Sequence, residues 1–285
     1  MALSRCHAAS DGVPLHYLEW PGGPTTIMLI HGGALSAHTF DLAALALGED
    51  VRCIAVDLRG HGLSGWADDY SVDRWVTDTC ELIDHLGIDQ IHLAGMSLGG
   101  CVAGHAAIAL GQRLASLSFI DVGPRVNFAA SARMRGFIDA VRPAPSVESV
   151  VQDALAISPR TDPDLMLYRY QSLLRWDEDG WVWKADRRRP TDFPHILGKL
   201  SDLEAIAPRI HQPTLVLKGA RSAVLTELDA HQFASRFPAG QVVTIEAGHN
   251  VQEDQPVALA NALRSTMARS QPADASDANQ TEDCN

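Results

Sequence analysis

Ile91-His92-Leu93-Ala94-Gly95-Met96-Ser97-Leu98-Gly99-Gly100 carries an apolar run into a serine flanked by glycines. The run predicts a strand over 91–96. Leu98–Leu110, small and apolar on every side, predicts a buried helix. By itself Gly-x-Ser-x-Gly is a moderately specific pattern that also suits a glycine-rich turn packing a helix onto a sheet. Its place between a strand and a helix makes it a nucleophile elbow. In such a turn the serine backbone is strained, its hydroxyl is exposed, and the glycines let neighbouring backbone pass close by. Ser97 is therefore the candidate nucleophile.

Further apolar runs lie on both sides of the elbow: Thr25–His31, Arg52–Leu58, Leu117–Val122, Thr214–Leu217 and Val242–Ile245. Continuous apolar strands belong to a sheet covered on both faces, hence parallel. Val13–Trp20 alternates like a half-buried strand and is expected to pair antiparallel with Ser4–Ala9. Val72–Leu86 has helical period, with Ser71 as N-cap and Gly87 as stop. Ala258–Met267 reads as a final amphipathic helix. The alternation predicts an α/β fold with a mostly parallel eight-stranded sheet flanked by helices. It breaks after Asp121, where helical stretches punctuated by proline show no clear parallel strand. Residues 124–211 are thus expected to form an inserted all-helical cap between two parts of the core, 1–123 and 212–269. The polar, acidic segment 270–285 has the composition of a disordered tail.

A serine nucleophile needs a base, and twelve histidines compete for that role. Gly248-His249 follows the last predicted strand. It falls at the C-terminal edge of the sheet, where sites in open α/β sheets lie. An imidazole there takes the serine proton and returns it to the leaving group. Without the elbow, a lone Gly-His is equally a surface loop. Attack on a carbonyl also creates an oxyanion that needs two preorganised N–H donors. Leu98, at a helix N-terminus where the macrodipole helps, supplies one. Gly33, in the turn His31-Gly32-Gly33, is the candidate for the other.

Taken in order, His31-Gly32-Gly33, Asp57-Leu58-Arg59-Gly60-His61-Gly62-Leu63-Ser64, Gly95-Met96-Ser97-Leu98-Gly99 and Gly248-His249 resemble the α/β-hydrolase superfamily over about residues 5–268. The set is specific for the fold and poorly specific for the substrate. The resemblance implies a helical cap after the sixth strand, where the insertion falls. Many members carry the triad acid after the seventh strand in a Gly-x-x-Asp turn. Here that turn reads Gly219-Ala220-Arg221-Ser222, and a neutral hydroxyl cannot stabilise the imidazolium. Asp121, at the end of the sixth strand in Phe119-Ile120-Asp121-Val122-Gly123-Pro124, is the preferred acid; Glu227 and Asp229 are the alternatives. For Asp121 the plain reading is a turn aspartate. Members similar in this respect include acetamidomethylene-succinate hydrolases and cofactor-free quinolone dioxygenases. Haloalkane dehalogenases and epoxide hydrolases place an aspartate at the elbow, where this chain has Ser97.

The expected activity is hydrolysis of a small ester, amide or related carbonyl compound through an acyl-enzyme. A C–C bond hydrolase is the near alternative, although the Gly-Pro-Gly loop usual there is absent after His31. Cofactor-free dioxygenation is the other. Neither His-Glu-x-x-His nor a phosphate-binding Gly-rich loop occurs, so no metal and no cofactor is implied. The cap segment holds Tyr168, Tyr170, Trp176, Trp181, Trp183 and eleven of the twenty arginines. Trp176 and Trp183, with His38 from the core, are candidates for the pocket wall. A pocket arginine would clamp a carboxylate-bearing substrate, whereas arginines such as Arg187-Arg188-Arg189 suit solvated helix faces.

Charge narrows the partners. With 23 Lys+Arg against 35 Asp+Glu the net charge is −12, which argues against nucleic acid and anionic membrane surfaces. Divided at the cap, residues 124–211 carry +1 and the remainder −13, so a small anionic substrate stays compatible. Five scattered cysteines, no Cys-x-x-Cys pair and no apolar leader read as a reduced, cytoplasmic protein.

Overall fold

The computed structural model describes residues 1–127, 129, 136, 138, 143–157, 162–188 and 192–270. The expected tail from 271 onward, and Arg189 of the arginine run, lie outside the described residues. Eight strands build the main sheet: β1 (Leu3–Ala8), β2 (Pro14–Trp20), β3 (Thr25–Ile30), β4 (Val51–Val56), β5 (Ile91–Met96), β6 (Leu114–Ile120), β9 (Thr214–Gly219) and β10 (Gly240–Ile245). Their order is β1-β2-β4-β3-β5-β6-β9-β10. The pairs β1/β2 and β2/β4 are antiparallel, and every other pair is parallel. This is the mostly parallel eight-stranded sheet that the apolar runs predict.

Helices cover both faces, so the central strands are apolar on both sides. Every residue of β5 is buried. On one face lie α2 (Val72–His85) and α3 (Leu98–Leu110); their core includes Trp75, Leu82, Val102, Ala106 and Phe119. On the other lie α1 (Asp41–Leu47) and the C-terminal helix α9 (Pro256–Ala268), packed through Phe40, Leu47, Leu259 and Leu263. Ser71 caps α2 by accepting from the Arg74 N–H, and Gly87 follows the helix at φ +63°, a conformation that glycine adopts without a Cβ clash. In the loop between β4 and α2, the fully buried Arg59 guanidinium forks onto Asp78 at 2.5 and 2.7 Å.

Between β6 and β9 the described residues form α4 (Val147–Ile157), α5 (Pro163–Leu173), α6 (Phe193–Ile206) and a two-stranded antiparallel hairpin, β7 (Leu174–Asp177) with β8 (Gly180–Trp183). The cap segment is therefore not all-helical. The hairpin's strands are four residues each, too short to show a period against the helical background. Its signal is Asp179-Gly180: the turn closes at Gly180 with φ +141°. Of the remaining elements, α7 (Glu227–Ala234) precedes β10, and the short α8 (Val251–Asp254) follows His249. No helix among the described residues is long and apolar enough to cross a membrane.

Candidate active site

In the sheet order β4-β3-β5, strand β4 lies on one side of β3 and β5 on the other. Connections leaving β3 and β5 therefore part to opposite sides and leave a crevice at their C-terminal ends. Ser97 follows β5 directly. Its φ of +52° and ψ of −116° lie where a non-glycine residue is rarely found. That conformation is held from both sides. The Ser97 N–H donates to Ile120 O at 3.1 Å, and Ser97 O accepts from Gly100 and Cys101 N–H at 2.9 and 3.3 Å. A Cβ at Gly99 would sit 2.1 Å from Ile30 O, so only glycine lets α3 start this close to β3.

The His31-Gly32-Gly33 loop, the candidate oxyanion loop, presses on the elbow. A Cβ at Gly32 would meet Met96 Sδ at 2.6 Å and Ser97 Cβ at 3.3 Å. Gly33 lies beside Leu98, and neither N–H donates to another described residue. Both are thus available where an oxyanion would form. The loop is pinned by two buried groups. His31 donates from Nδ1 to Gly32 O at 2.7 Å and accepts the Leu58 N–H on Nε2 at 3.1 Å. That pairing requires the neutral ring, and burial pushes its pKa below the ordinary histidine value. Asp57 accepts the Ala37 N–H at 2.6 Å and the Leu63 N–H at 2.9 Å.

Asp121 follows β6 at φ +50° and is fully buried. A buried carboxylate must be met by donors. Three meet it: Gly219 N–H at 2.9 Å, Ser222 Oγ–H at 2.5 Å and His249 Nδ1–H at 2.6 Å. The neutral residue in the Gly219-Ala220-Arg221-Ser222 turn thus donates to the carboxylate instead of replacing it. Sequence reasoning misses Ser222 as a supporting residue, and its place in that turn is the signal that marks it. Glu227 instead contacts the Thr244 hydroxyl, and Asp229 the Thr226 hydroxyl, both on exposed surface. His249 is held by its own loop, where the Gly248 N–H donates to Asp254 at 2.7 Å. With Nδ1–H committed to Asp121, Nε2 is the free nitrogen, and the side chain is 29% exposed. No hydrogen bond joins Ser97 Oγ to His249 among the described residues. That link commonly tightens only with substrate present.

Above this edge, α5 meets the core at a cleft lined by Ser36, His38, Thr39, Tyr168, Arg169 and Ser172 among others. His38 Nδ1 bonds Asp41 at 2.9 Å, which raises the His38 pKa, and the Tyr168 hydroxyl donates to the same carboxylate. Arg169 pairs with the buried Glu253 at 2.9 Å. Burial pushes the Glu253 pKa up, and Arg169 opposes that shift. Of the three side chains expected to wall a pocket, His38 lies here. Trp183 is buried within the cap against Tyr170, ring centres 5.6 Å apart. Trp176 is 60% exposed, edge-on to its hairpin partner Trp181.

Comparison with known proteins agrees with this geometry. The model of the alpha/beta hydrolase family matches residues 27–262. Esterase Rv0045c of Mycobacterium tuberculosis is 30% identical over 262 residues, spanning 88% of this chain and 85% of that protein. A solved structure of that esterase superposes with a TM-score of 0.76 at 26% identity, over 94% of this chain and 92% of that one. N-formylmaleamate deformylase of Pseudomonas putida is 26% identical over 253 residues, 87% of this chain and 90% of the relative. In fold, the chain is also similar to E-2-(acetamidomethylene)succinate hydrolase, with a TM-score of 0.81 at 22% identity over 94% of this chain and all of that one. From the parallel sheet, the strained serine at its switch point and the match over most of its length, this chain belongs to the alpha/beta hydrolase family and is a hydrolase.

Proposed function

We propose that the chain is a serine hydrolase that cleaves a small carbonyl compound, an ester or amide, through an acyl-enzyme. Ser97 Oγ attacks the carbonyl carbon while His249 Nε2 takes its proton. The tetrahedral oxyanion sits against the Gly33 and Leu98 N–H groups. It collapses, and the leaving group departs with the proton from His249. Water then attacks the acyl-Ser97 ester by the same route in reverse, freeing the acid. The observation that carries this reading is the arrangement at Asp121. A buried carboxylate with three donors orients His249 through Nδ1 at the same sheet edge as the strained Ser97. The resemblance to an esterase and to a protein named for removing a formyl group from N-formylmaleamate supports a small carbonyl substrate, one bearing a carboxylate included.

The test is pre-steady-state hydrolysis of p-nitrophenyl acetate. An acyl-enzyme that forms faster than it breaks down releases about one nitrophenolate per chain in a burst. Ser97→Ala should show neither burst nor turnover. Turnover that survives Ser97→Ala would overturn the proposal.

A further inference from the structure

The charged residues lining the cleft between cap and core are paired among themselves, and a lysine stands just behind the lining residue Ser172. His38 faces Asp41, and Arg169 faces Glu253, at 2.9 Å in each case. Lys184, the residue after β8, is half-buried at the same junction, and among the described residues no carboxylate lies in ion-pair reach of its ammonium. Its Nζ donates once, to Ser172 O at 2.7 Å. Two N–H donors of the ammonium meet no acceptor among the described residues.

The placement is rigid. The Lys184 N–H donates to Leu173 O at 2.9 Å, which ties it to the end of α5. Its carbonyl accepts Trp66 Nε1–H from the core at 3.1 Å. Through Ser172 it adjoins the oxyanion loop. Ser172 lines the cleft, and its hydroxyl lies 3.5 Å from that of Ser36, a buried residue three positions beyond Gly33. The Lys184 charge is also felt at His38, and burial pushes its own pKa down. Asp57 acts on the Lys184 charge from beyond ion-pair distance, so among the described residues the ammonium has no carboxylate in direct contact in this partly dry junction.

We infer that Lys184 binds a carboxylate of the substrate and makes the chain selective for esters or amides that carry a free acid group. Composition alone favours an arginine as the cap cation in this role. The arginine that reaches the cleft, Arg169, is instead occupied by Glu253. The inference rests on the serine-hydrolase reading for the reaction itself, though not for the binding of an acid.

Two measurements on the full chain test it separately. The first compares kcat/KM for p-nitrophenyl hemisuccinate and p-nitrophenyl butyrate, nearly equal in size and differing in the free acid. The natural chain should prefer the hemisuccinate. Lys184→Met should lose about tenfold to a hundredfold on the hemisuccinate alone, the value of a charge-assisted contact. Lys184→Arg should restore most of it. Equal losses on both esters, or no preference in the natural chain, would overturn the assignment. The second is the thermal shift produced by succinate, which should raise the midpoint of the natural chain and not that of Lys184→Met. A shift in the natural chain without hydrolysis of either ester would keep the anchor and overturn the hydrolase reading. Equal shifts in both proteins would overturn the anchor whatever the hydrolysis.

Discussion

Asp121 and Asp57 are both buried at strand ends, and each holds a histidine through Nδ1, at 2.6 and 2.7 Å. Beyond Asp57 the likeness continues. His16 Nε2 lies 2.8 Å from Ser4 Oγ, so Ser4, His16 and Asp57 follow one another as a triad would. The surroundings differ. The His16 side chain is 2% exposed, against 29% for His249. Among the described residues the non-glycine positions with positive φ are Ala34, Ser97 and Asp121, all in the loops of the candidate site. Ser4 sits in an ordinary edge strand, with no free N–H pair at a helix start to receive an oxyanion. Asp57 spends its remaining capacity on the N–H groups of Ala37 and Leu63. The same hydrogen-bond order thus occurs in two settings, one sealed among loops and one, under the proposed function, set to serve a nucleophile. What separates them is strain, exposure and idle donors.

The comparison can be broken by substitution. Asp121→Asn should lower kcat by about 10⁴-fold with little change in fold, because the wrong tautomer of His249 is then favoured. A loss below about tenfold would remove Asp121 from the site. Asp57→Asn should act on stability instead. It sets an amide N–H against donors already in place, at about 3–5 kcal/mol in urea unfolding, while kcat of the folded fraction stays within about tenfold. If it abolishes kcat with the midpoint intact, the two aspartates have been assigned the wrong way round.

Acid sharpens the contrast further. Burial holds the pKa of His31 below its ordinary value and drives that of His61, beside it, to about 3. The unfolded chain takes up these protons near 6.5, and the folded chain does not. The His61 contribution is therefore complete above 6.5 and is lost as pH falls from there toward about 3, by up to ~1.4 kcal/mol per pH unit, and the His31 contribution is lost in the same direction. Unfolding midpoints from pH 7 to 4 should fall along that slope, and His61→Gln should flatten it. An unchanged slope would show that His31 and His61 do not govern acid stability. The smallest effect belongs to Ser4→Ala, which should leave kcat/KM within about twofold. A larger loss would mean that the sealed array takes part in the reaction.

Much of this was legible in the sequence, for physical reasons. Central strands covered on both faces are continuous apolar runs, so β3, β4, β5 and β6 could be found by composition alone. Leu98–Leu110 matches its helix end to end, because a helix lodged against the sheet must be small and apolar all round. That Ser97, Asp121 and His249 lie at one sheet edge was legible because the C-terminal edge of a parallel sheet gathers the residues just past its strands. The cap was less so. Its hairpin strands are too short to impose a period, and Trp176 and Trp183, alike in sequence, fall on an exposed face and in the interior. Lys184 carries no motif, and its interest lies in having no carboxylate in ion-pair contact among the described residues, which composition cannot express. Ser222 read as a lost acid, while its role as a donor to Asp121 depends on a contact between loops 101 residues apart in the chain.

Covalent labelling tests the central claim most directly. The chain is treated with a fluorophosphonate, and the adduct is located by peptide mass mapping, in the natural protein and in Ser97→Ala and Ser4→Ala. One adduct per chain on Ser97 is expected, absent from Ser97→Ala and undiminished in Ser4→Ala. An adduct on Ser4, or esterase activity that persists with Ser97 fully labelled, would contradict the account.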